Sequence, residues 1–283
     1  MRAPTRRKIW LGVGACVIVG SGTAGGAVIR GGAAGDSNHG GHRRAAGALA
    51  QQGEHEHEPD EGGETKQLAA LPPALAFATR IALLRGHLLV GNELVTQQQW
   101  NAALPHFLHP GEEIYGDIKD QLSTYGAPQF EPDLKALADV VKARKGGKDY
   151  AKALQRVKDA LARADAGLKA KQDNWAGFVI EAAVETLKVA ADEYQKAIHG
   201  DRIVKPVEYQ DARGFVWQAD AMIESVRSGL ASKDAASFAA VRAGLAELKK
   251  AFPSAMPPKA PVKDAAAVLG DVSRIELAAG KLM

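Results

Sequence analysis

The feature that most constrains this chain is helical periodicity, which continues from Leu71 almost to the end of the sequence. Apolar residues recur three or four positions apart in one segment after another, as Leu154, Val157 and Leu161 do in one of them. No window shows sustained alternation of apolar and polar residues with β-branched enrichment, the pattern of a half-buried strand. Abundant alanine and an aromatic content of only 6% also favour helices. The sequence therefore predicts an all-α fold, an antiparallel helical bundle of roughly seven to nine helices, over residues 67–283.

Prolines, glycines and capping residues divide this region into separate helices. Pro73 suits the first turn of one helix and Pro206 that of another, while Gly146 and Gly147 end a third. Asp149 is a capping residue for the segment that follows it. The predicted helices cover 75–97, 100–109, 110–125, 132–145, 150–171, 174–198, 206–230, 234–252 and 263–282.

One helical hairpin is predicted in more detail, between Gly86 and Tyr115. Small and large residues follow one another there at the spacing of a tetratricopeptide unit, in which small residues let two helices approach and large ones fill the seam. Stacked repeats need about three such units to bury their faces, and the sequence shows one. We therefore predict a single hairpin inside a bundle, with its seam formed by Val90, Gly91, Leu94, Trp100, Ala103 and Phe107.

The same hairpin carries a candidate metal site. His106 and His109 are three residues apart and share a face on a continuous helix, and Glu112 or Glu113 lies one turn further. This spacing suits divalent transition metals. A fourth ligand is needed, and His87 is the obvious candidate. The alternative for His87 is a half-buried histidine with one nitrogen bonded.

Two prolines bear on this site. Pro105 disturbs the helix that carries both histidines, and Pro110 disfavours helical geometry at His109. If His109 leaves helical geometry, it would cap the next helix, and Glu113 would point away from the two histidines. The sequence leaves both arrangements open.

A second candidate site lies between Asp192 and Val216. Glu208 and Asp211 are three residues apart near the start of one helix, and Glu193 lies near the end of the preceding one. Helical bundles bind hard or borderline cations, including iron, through carboxylates brought together in this way. Alternatively, Glu208 and Asp211 are first-turn charges that the helix dipole favours.

The residues of this second segment also carry a family resemblance. Tyr194, the stretch from Gly200 to Val204, and the sequence Glu208-Tyr209-Gln210-Asp211 resemble the extracytoplasmic helical segments attached to FTR1-type iron permeases. They are more loosely similar to imelysin-like periplasmic proteins linked to iron uptake, although the imelysin motif G-x-H-x-x-E is missing. The resemblance implies an exported helical protein that handles metal, with Glu208 and Asp211 as ligands.

Residues 1–30 are predicted to be a signal peptide or a membrane anchor. Arg6 and Arg7 belong to a basic start, and residues 9–29 are uncharged and apolar. The stretch from Thr5 to Leu11 is similar to the twin-arginine export motif, and an ordinary secretory signal with adjacent basic residues is the alternative. Small residues over 21–27 would permit cleavage, whereas an apolar run of about 20 residues is also long enough for an uncleaved anchor.

Cys16 is the only cysteine, and the residues before it superficially resemble a lipobox. Lys8 leaves few uncharged residues before Cys16, and the apolar run continues beyond it, so the sequence argues against lipidation. Removal of the segment past Cys16 would leave no cysteine, which would exclude disulfides, thiolate metal sites and a covalently attached c-type haem.

Residues 31–66 are predicted to be a disordered linker rich in His, Glu and Gly. His55 and His57 alternate with glutamates, and such donors can chelate divalent ions. A flexible chain loses conformational entropy when it closes around an ion. We therefore expect weak, adventitious metal binding there, in a tether that is otherwise solvated.

The net charge and the absence of known motifs argue against two classes of function, nucleic-acid binding and catalysis. The net charge of +3 is small and no basic block is interleaved with aromatic residues, which argues against nucleic-acid binding. The sequence contains no G-x-S-x-G, no H-E-x-x-H, no Walker loop and no dinucleotide fingerprint, so we predict no enzyme.

These patterns predict an exported helical metal-binding protein of the cell envelope that handles iron or copper, with a divalent or ferric ion as its cofactor. The alternative is a non-catalytic structural or interaction module that binds an envelope partner protein through helical hairpin faces. In both cases we expect a periplasmic protein that is soluble after signal cleavage or anchored by residues 9–29. The candidate ligands are His87, His106, His109, Glu112, Glu113, Glu208 and Asp211, with His55 and His57 as weak ones.

Overall fold

Helices make up nearly all the regular structure of residues 66–283, which are the residues described by the computed structural model, and the all-α prediction is confirmed. The predicted export segment, Cys16 and the linker histidines lie outside these residues. The α-helices are α1 (Pro73–Thr96), α2 (Trp100–Ala103), α3 (Pro105–His109), α4 (Tyr115–Ile118), α5 (Glu131–Lys142), α6 (Gly147–Lys169), α7 (Trp175–Ala197), α8 (Pro206–Ser225), α9 (Arg227–Lys233), α10 (Ala235–Leu248) and α11 (Ala265–Ala279). Helical turns of 3-10 type cover Lys66–Ala70, Lys119–Tyr125 and Lys249–Ala251, and Pro110–Ile114 is a π-helical turn.

Side-chain caps explain where three of the long helices begin. Asn174, Asp234 and Asp264 precede α7, α10 and α11, and each accepts a hydrogen bond from a backbone N–H group in the first turn. The donors of these three capping bonds are Gly177 at 3.1 Å, Ser237 at 2.8 Å and Ala267 at 2.6 Å.

The predicted helix 206–230 is in fact two helices, because Val226 leaves helical geometry between α8 and α9.

A short hairpin of strands joins α7 to α8. The strands β1 (Ile198–His199) and β2 (Arg202–Ile203) pair antiparallel, with Ile198 opposite Ile203. Gly200 has a φ of +62°, a conformation that residues with a Cβ atom rarely adopt, and it allows the chain to reverse here. The tight reversal sets α7 and α8 side by side along their length.

Helix α1 is the central helix of the described residues. It packs on α7 and α8, while α11 packs on both α7 and α10, and α5 packs on α6. By length and composition α1 is the one helix here that could cross a membrane, yet 83% of its most apolar window is buried inside the fold. A helix that is apolar on all sides and buried is the expected core element of a large helical domain.

Candidate metal centre

Three helices place polar side chains at one buried point of the fold. His87 belongs to α1, both His106 and His109 belong to α3, and Asp211 belongs to α8. His87 and His106 have no exposed surface, Asp211 is 1% exposed and His109 is 7% exposed. Because a buried carboxylate is costly without a compensating charge, the arrangement around Asp211 has to supply one.

A close contact between two backbones brings α1 and α8 together at this point. Gly214 packs against Gly86, and a Cβ atom on Gly214 would overlap the Gly86 carbonyl oxygen and lie 2.9 Å from the carbonyl carbon. Glycine is the residue that permits such an approach. Since His87 follows Gly86 directly and Asp211 precedes Gly214 by one helical turn, the same contact brings their side chains within reach of each other.

The predicted hairpin between α1 and α3 is confirmed, and it positions the other histidines. A Cβ atom on Gly91 would lie 2.7 Å from the Phe107 ring and 3.2 Å from the His106 Cβ, so α3 crosses α1 at close range. Trp100 is half-buried at the edge of the seam. The remaining seam residues are fully or almost fully buried: Val90, Leu94, Ala103 and Phe107.

Asp211 is the group that the histidines share. Its Oδ1 atom lies 2.6 Å from His87 Nδ1 and 2.8 Å from His106 Nδ1. One ligand atom from each of these three residues lies within 4.8 Å of the other two. His87 is thus fully buried against a carboxylate, which differs from the half-buried histidine of the alternative interpretation.

His109 and Glu113 lie at the edge of this cluster. His109 Nδ1 is 3.8 Å from Asp211 Oδ2 and 3.8 Å from Glu113 Oε1. The Glu113 side chain is 12% exposed, so this edge is the side of the cluster nearest to solvent. The structure therefore adds a third imidazole and a second carboxylate next to the three fully buried groups.

Of the two arrangements that the sequence left open, the one in which Pro110 turns His109 out of helical geometry is not observed. His109 has φ and ψ of −49° and −43°, and Pro110 is helical as well. Pro110 has no N–H group to donate, and the chain continues through a π-helical turn in which the Tyr115 N–H donates to the Pro110 carbonyl. Such single π-turns are frequent at functional sites. This turn keeps His109 and Glu113 on one side of the chain.

The Asp211 carboxylate determines the pKa values in the cluster. Burial would raise the pKa of Asp211, but the neighbouring His87 and His106 hold it well below its usual range, so the carboxylate is ionised. Burial would lower the pKa of His109, but Asp211, with a smaller contribution from Glu113, raises it to about 9 against the repulsion from His87. Without a metal ion, protonated imidazole therefore compensates the buried charge at neutral pH.

The other predicted ligands lie apart from this group. Glu112 is exposed, and Glu208 pairs with Lys205 at 3.4 Å. Glu193 pairs with Lys196 at 2.8 Å. The weak candidates His55 and His57 lie outside the described residues.

Gln210 is the residue that the sequence did not suggest. Its Oε1 atom lies 2.9 Å from His106 Nε2, on the side of the ring opposite to Asp211. The only signal for it was its position next to Asp211 in the sequence Glu208-Tyr209-Gln210-Asp211.

A comparison with family models bears on the second half of the chain. Residues 169–283 match the iron permease-associated 4-helix bundle domain. The resemblance predicted from the segment between Tyr194 and Asp211 is thereby confirmed. No curated protein and no solved structure matches the chain significantly.

The iron permease-associated domain supplies only part of the cluster. Its long helices are α7, α8, α10 and α11, and α8 contributes Asp211 and Gln210. All three histidines come from residues that precede the match. The candidate site is therefore built where α1 and α3 pack against the 4-helix bundle domain.

The donor set fits a divalent transition metal. Metal bonds to nitrogen and oxygen are about 2.0–2.2 Å long, so neighbouring donors around one ion lie roughly 3 Å apart. The contacts with Asp211 range from 2.6 to 3.8 Å, so small side-chain rotations would bring these atoms around one ion. Imidazole with carboxylate is a donor combination that suits iron, zinc, copper and nickel.

Proposed function

We propose that the chain is an exported helical protein that binds iron in the cell envelope and serves an iron permease in the membrane. The observation that carries the proposal is the convergence of three histidines on the buried carboxylate of Asp211. The match of residues 169–283 to an iron permease-associated domain supports iron as the metal and a permease as the partner. Nothing in the comparisons supports copper.

The donor set favours ferrous over ferric iron. Two histidines and one carboxylate are the ligand combination that holds Fe(II) in many non-haem sites, and His109 adds a further imidazole. The carboxylates of Asp211 and Glu113 together balance a charge of +2, which matters because Asp211 is buried. A ferric ion would leave an excess positive charge among imidazoles.

The location outside the cytoplasm rests on the N-terminal sequence. The basic residues before 9–29 and the apolar character of that segment predict export. A ferrous ion held by an exported protein is positioned for delivery to a permease at the membrane surface. The membrane contact of the chain itself would be limited to residues 9–29, if that segment is retained.

Anaerobic titration of the full chain with Fe(II) tests the proposal. We expect one tightly bound ion per chain, and we expect the double variant His87→Asn, His106→Asn to lose it. The control is His55→Asn, His57→Asn, which removes linker imidazoles by the same substitution and should keep the tight ion. Equal binding by the wild type and the His87, His106 variant would overturn the assignment of the site.

Affinity alone does not identify the physiological metal. Cu(II) and Zn(II) bind nitrogen and oxygen donors more tightly than Fe(II), in the Irving–Williams order. The metal content of protein isolated without oxygen from its own cells is therefore the deciding measurement. Iron at about one ion per chain supports the proposal, and copper or zinc in its place contradicts it.

Capture tests the permease partner. With the chain crosslinked in its own membranes, we expect recovery of a polytopic iron permease by mass spectrometry. Recovery with the wild type and not with unrelated exported proteins supports the partnership. A chain that is recovered without any permease under iron limitation contradicts it.

A further inference from the structure

We propose that Gln210 is a positioning residue that makes His106 bind the metal ion through Nδ1, and that Met256 holds the Gln210 amide in the orientation this requires. The inference rests on the proposed metal site and goes beyond it by assigning the ring nitrogen that binds. Gln210 itself lies behind the imidazole and would not touch the ion.

The two nitrogens of His106 face different partners. Nδ1 lies 2.8 Å from Asp211 Oδ1, at the point shared with His87, whereas Nε2 lies 2.9 Å from Gln210 Oε1. His106 has no exposed surface and Gln210 is 1% exposed, so water does not compete for either contact. The ring is thus held between two adjacent residues of α8.

The chemistry of the two partners decides which nitrogen of His106 keeps its proton when a metal ion binds. An amide oxygen only accepts hydrogen bonds, so the contact with Gln210 Oε1 requires a proton on His106 Nε2. In the metal-free protein the ionised Asp211 carboxylate is an acceptor as well, so Nδ1 also carries a proton, which it donates to Asp211 Oδ1. A bound metal ion takes the place of this proton, because Nδ1 is the nitrogen that faces Asp211 and His87, while the proton on Nε2 stays in its hydrogen bond to Gln210. Nδ1 is then the atom able to bind a metal ion, and Gln210 does for His106 what outer-shell partners do for metal-binding histidines in general.

A flipped Gln210 amide would reverse this assignment. The NH₂ group would then donate to a lone pair on His106 Nε2, and the one remaining ring proton would be that on Nδ1, which faces Asp211 and would block the metal ion there. Met256 opposes the flip, because its Sδ atom lies 3.8 Å from Gln210 Nε2 and a thioether can accept but not donate a hydrogen bond. The amide therefore gains a bond in one orientation only.

Met256 is itself held in place, although it is 41% exposed. It lies in the segment between α10 and α11, where the Ser254 hydroxyl donates to the Met256 carbonyl at 2.6 Å. The Tyr209 hydroxyl donates to the Ser254 carbonyl at 3.2 Å, which ties this segment to α8. The orientation of the Gln210 amide is thus supported by the segment that follows α10.

Nitrogen NMR on the full chain tests the inference directly. The chain is labelled with ¹⁵N-histidine and loaded with Zn(II), a diamagnetic probe, and the His106 signals are assigned by their loss in His106→Asn. We expect long-range ¹H–¹⁵N correlations that show a proton on Nε2 and zinc on Nδ1. Coordination through Nε2 would overturn the inference. This measurement is made with Gln210 in place, so it does not depend on whether a Gln210 variant folds.

Variants at Gln210 test the positioning role. Gln210→Leu keeps the size but removes the acceptor, and we expect zinc affinity to fall about 10- to 100-fold, with loss of the Nε2 proton signal. Gln210→Glu restores an acceptor and should recover both the affinity and the signal. Gln218→Leu makes the same change on the same helix, away from the cluster, and should leave both unchanged. We expect Met256→Leu to lower affinity by a smaller factor, about 3-fold, because one weak hydrogen bond is lost.

The outcomes separate this inference from the proposed function. If wild-type protein binds no zinc at these residues, the metal site itself is wrong. If it binds zinc but Gln210→Leu keeps the wild-type affinity and the Nε2 proton signal, the site stands and the role of Gln210 is wrong. If Gln210→Leu does not fold, the wild-type spectrum and the Met256→Leu titration still decide the assignment.

Discussion

Gly214 of α8 lies directly against the backbone of Gly86 of α1, and this contact sets the distance between His87 and Asp211. The two side chains come from segments more than a hundred residues apart, yet the atoms His87 Nδ1 and Asp211 Oδ1 are separated by 2.6 Å. A side chain on either glycine would push the helices apart. The candidate metal centre thus depends on a helix crossing as much as on the side chains that converge there.

Gly214→Ala is therefore expected to impair both stability and metal binding. Its Cβ would meet backbone atoms of Gly86, which cannot rotate away as a side chain would, so we expect a loss of about 3 kcal/mol in the free energy of unfolding. Urea unfolding and zinc titration measure the two effects. Gly116→Ala is the matched control, since nothing lies within 4 Å of its Cβ position and alanine favours a helix. Equal stability of the two variants would show that the α1–α8 contact is less close than described.

Asp211→Asn tests whether the shared carboxylate is a ligand. The substitution keeps the shape and an acceptor oxygen but removes the charge, so we expect metal affinity to fall by at least about 100-fold. Calorimetric titration gives the affinity. Glu208→Gln is the control on the same helix, because Glu208 pairs with Lys205 and should change affinity by no more than about 2-fold. A larger loss for Glu208→Gln than for Asp211→Asn would transfer the ligand role to Glu208.

Helices could be predicted from the sequence because their signals are local. Pro206 marks a helix start within one turn of the chain, and the structure confirms it. The prediction that Asp149 caps the next helix is wrong, because α6 begins at Gly147 and Asp149 lies inside its first turn. The hairpin followed from residues close in sequence, with Gly91 facing Phe107.

The composition of the site could be predicted only in part, because it depends on contacts between distant segments. The spacing of His106 and His109 indicated a shared face, but Asp211 lies 105 residues beyond His106 and was assigned to a separate carboxylate site. No local pattern reports the packing of Gly86 on Gly214 that joins the two. The π-helical turn at Pro110 was also missed, since a proline usually indicates a helix boundary.

The stability of the metal-free protein should depend on pH through His109. Its pKa is about 9 in the folded chain against an ordinary value of 6.5, so its contribution is fully present below pH 6.5 and is lost as the pH rises through 9. The shift corresponds to a contribution of at most roughly 3 kcal/mol. Urea unfolding at pH 6 and pH 9.5 measures the loss, which should be much smaller in His109→Gln. The same pH dependence in both proteins would contradict this role of His109.

Metal binding should show the opposite pH dependence. The ion has to displace the proton on His109, so below about pH 9 the affinity should rise as the pH increases, by up to about 10-fold per pH unit for each proton released. Titration in buffers of different ionisation enthalpy counts the protons. His109→Gln should release about one proton fewer, and an unchanged count would mean that His109 is not a ligand.

Arg213 links the 4-helix bundle domain to α1 and should be important for stability. Its guanidinium lies 2.9 and 3.0 Å from the two carboxylate oxygens of Glu93, donates to the Phe252 carbonyl at 2.7 Å, and lies 3.9 Å from the centre of the Trp217 ring. Lysine keeps the charge but lacks the planar fork, so Arg213→Lys should cost about 3 kcal/mol of unfolding free energy. Arg227→Lys is the control, because Arg227 is exposed and pairs only at the surface with Glu224, where we expect a change below about 0.5 kcal/mol. A similar small change at Arg213 would show that this ion pair does not hold α1 against α8.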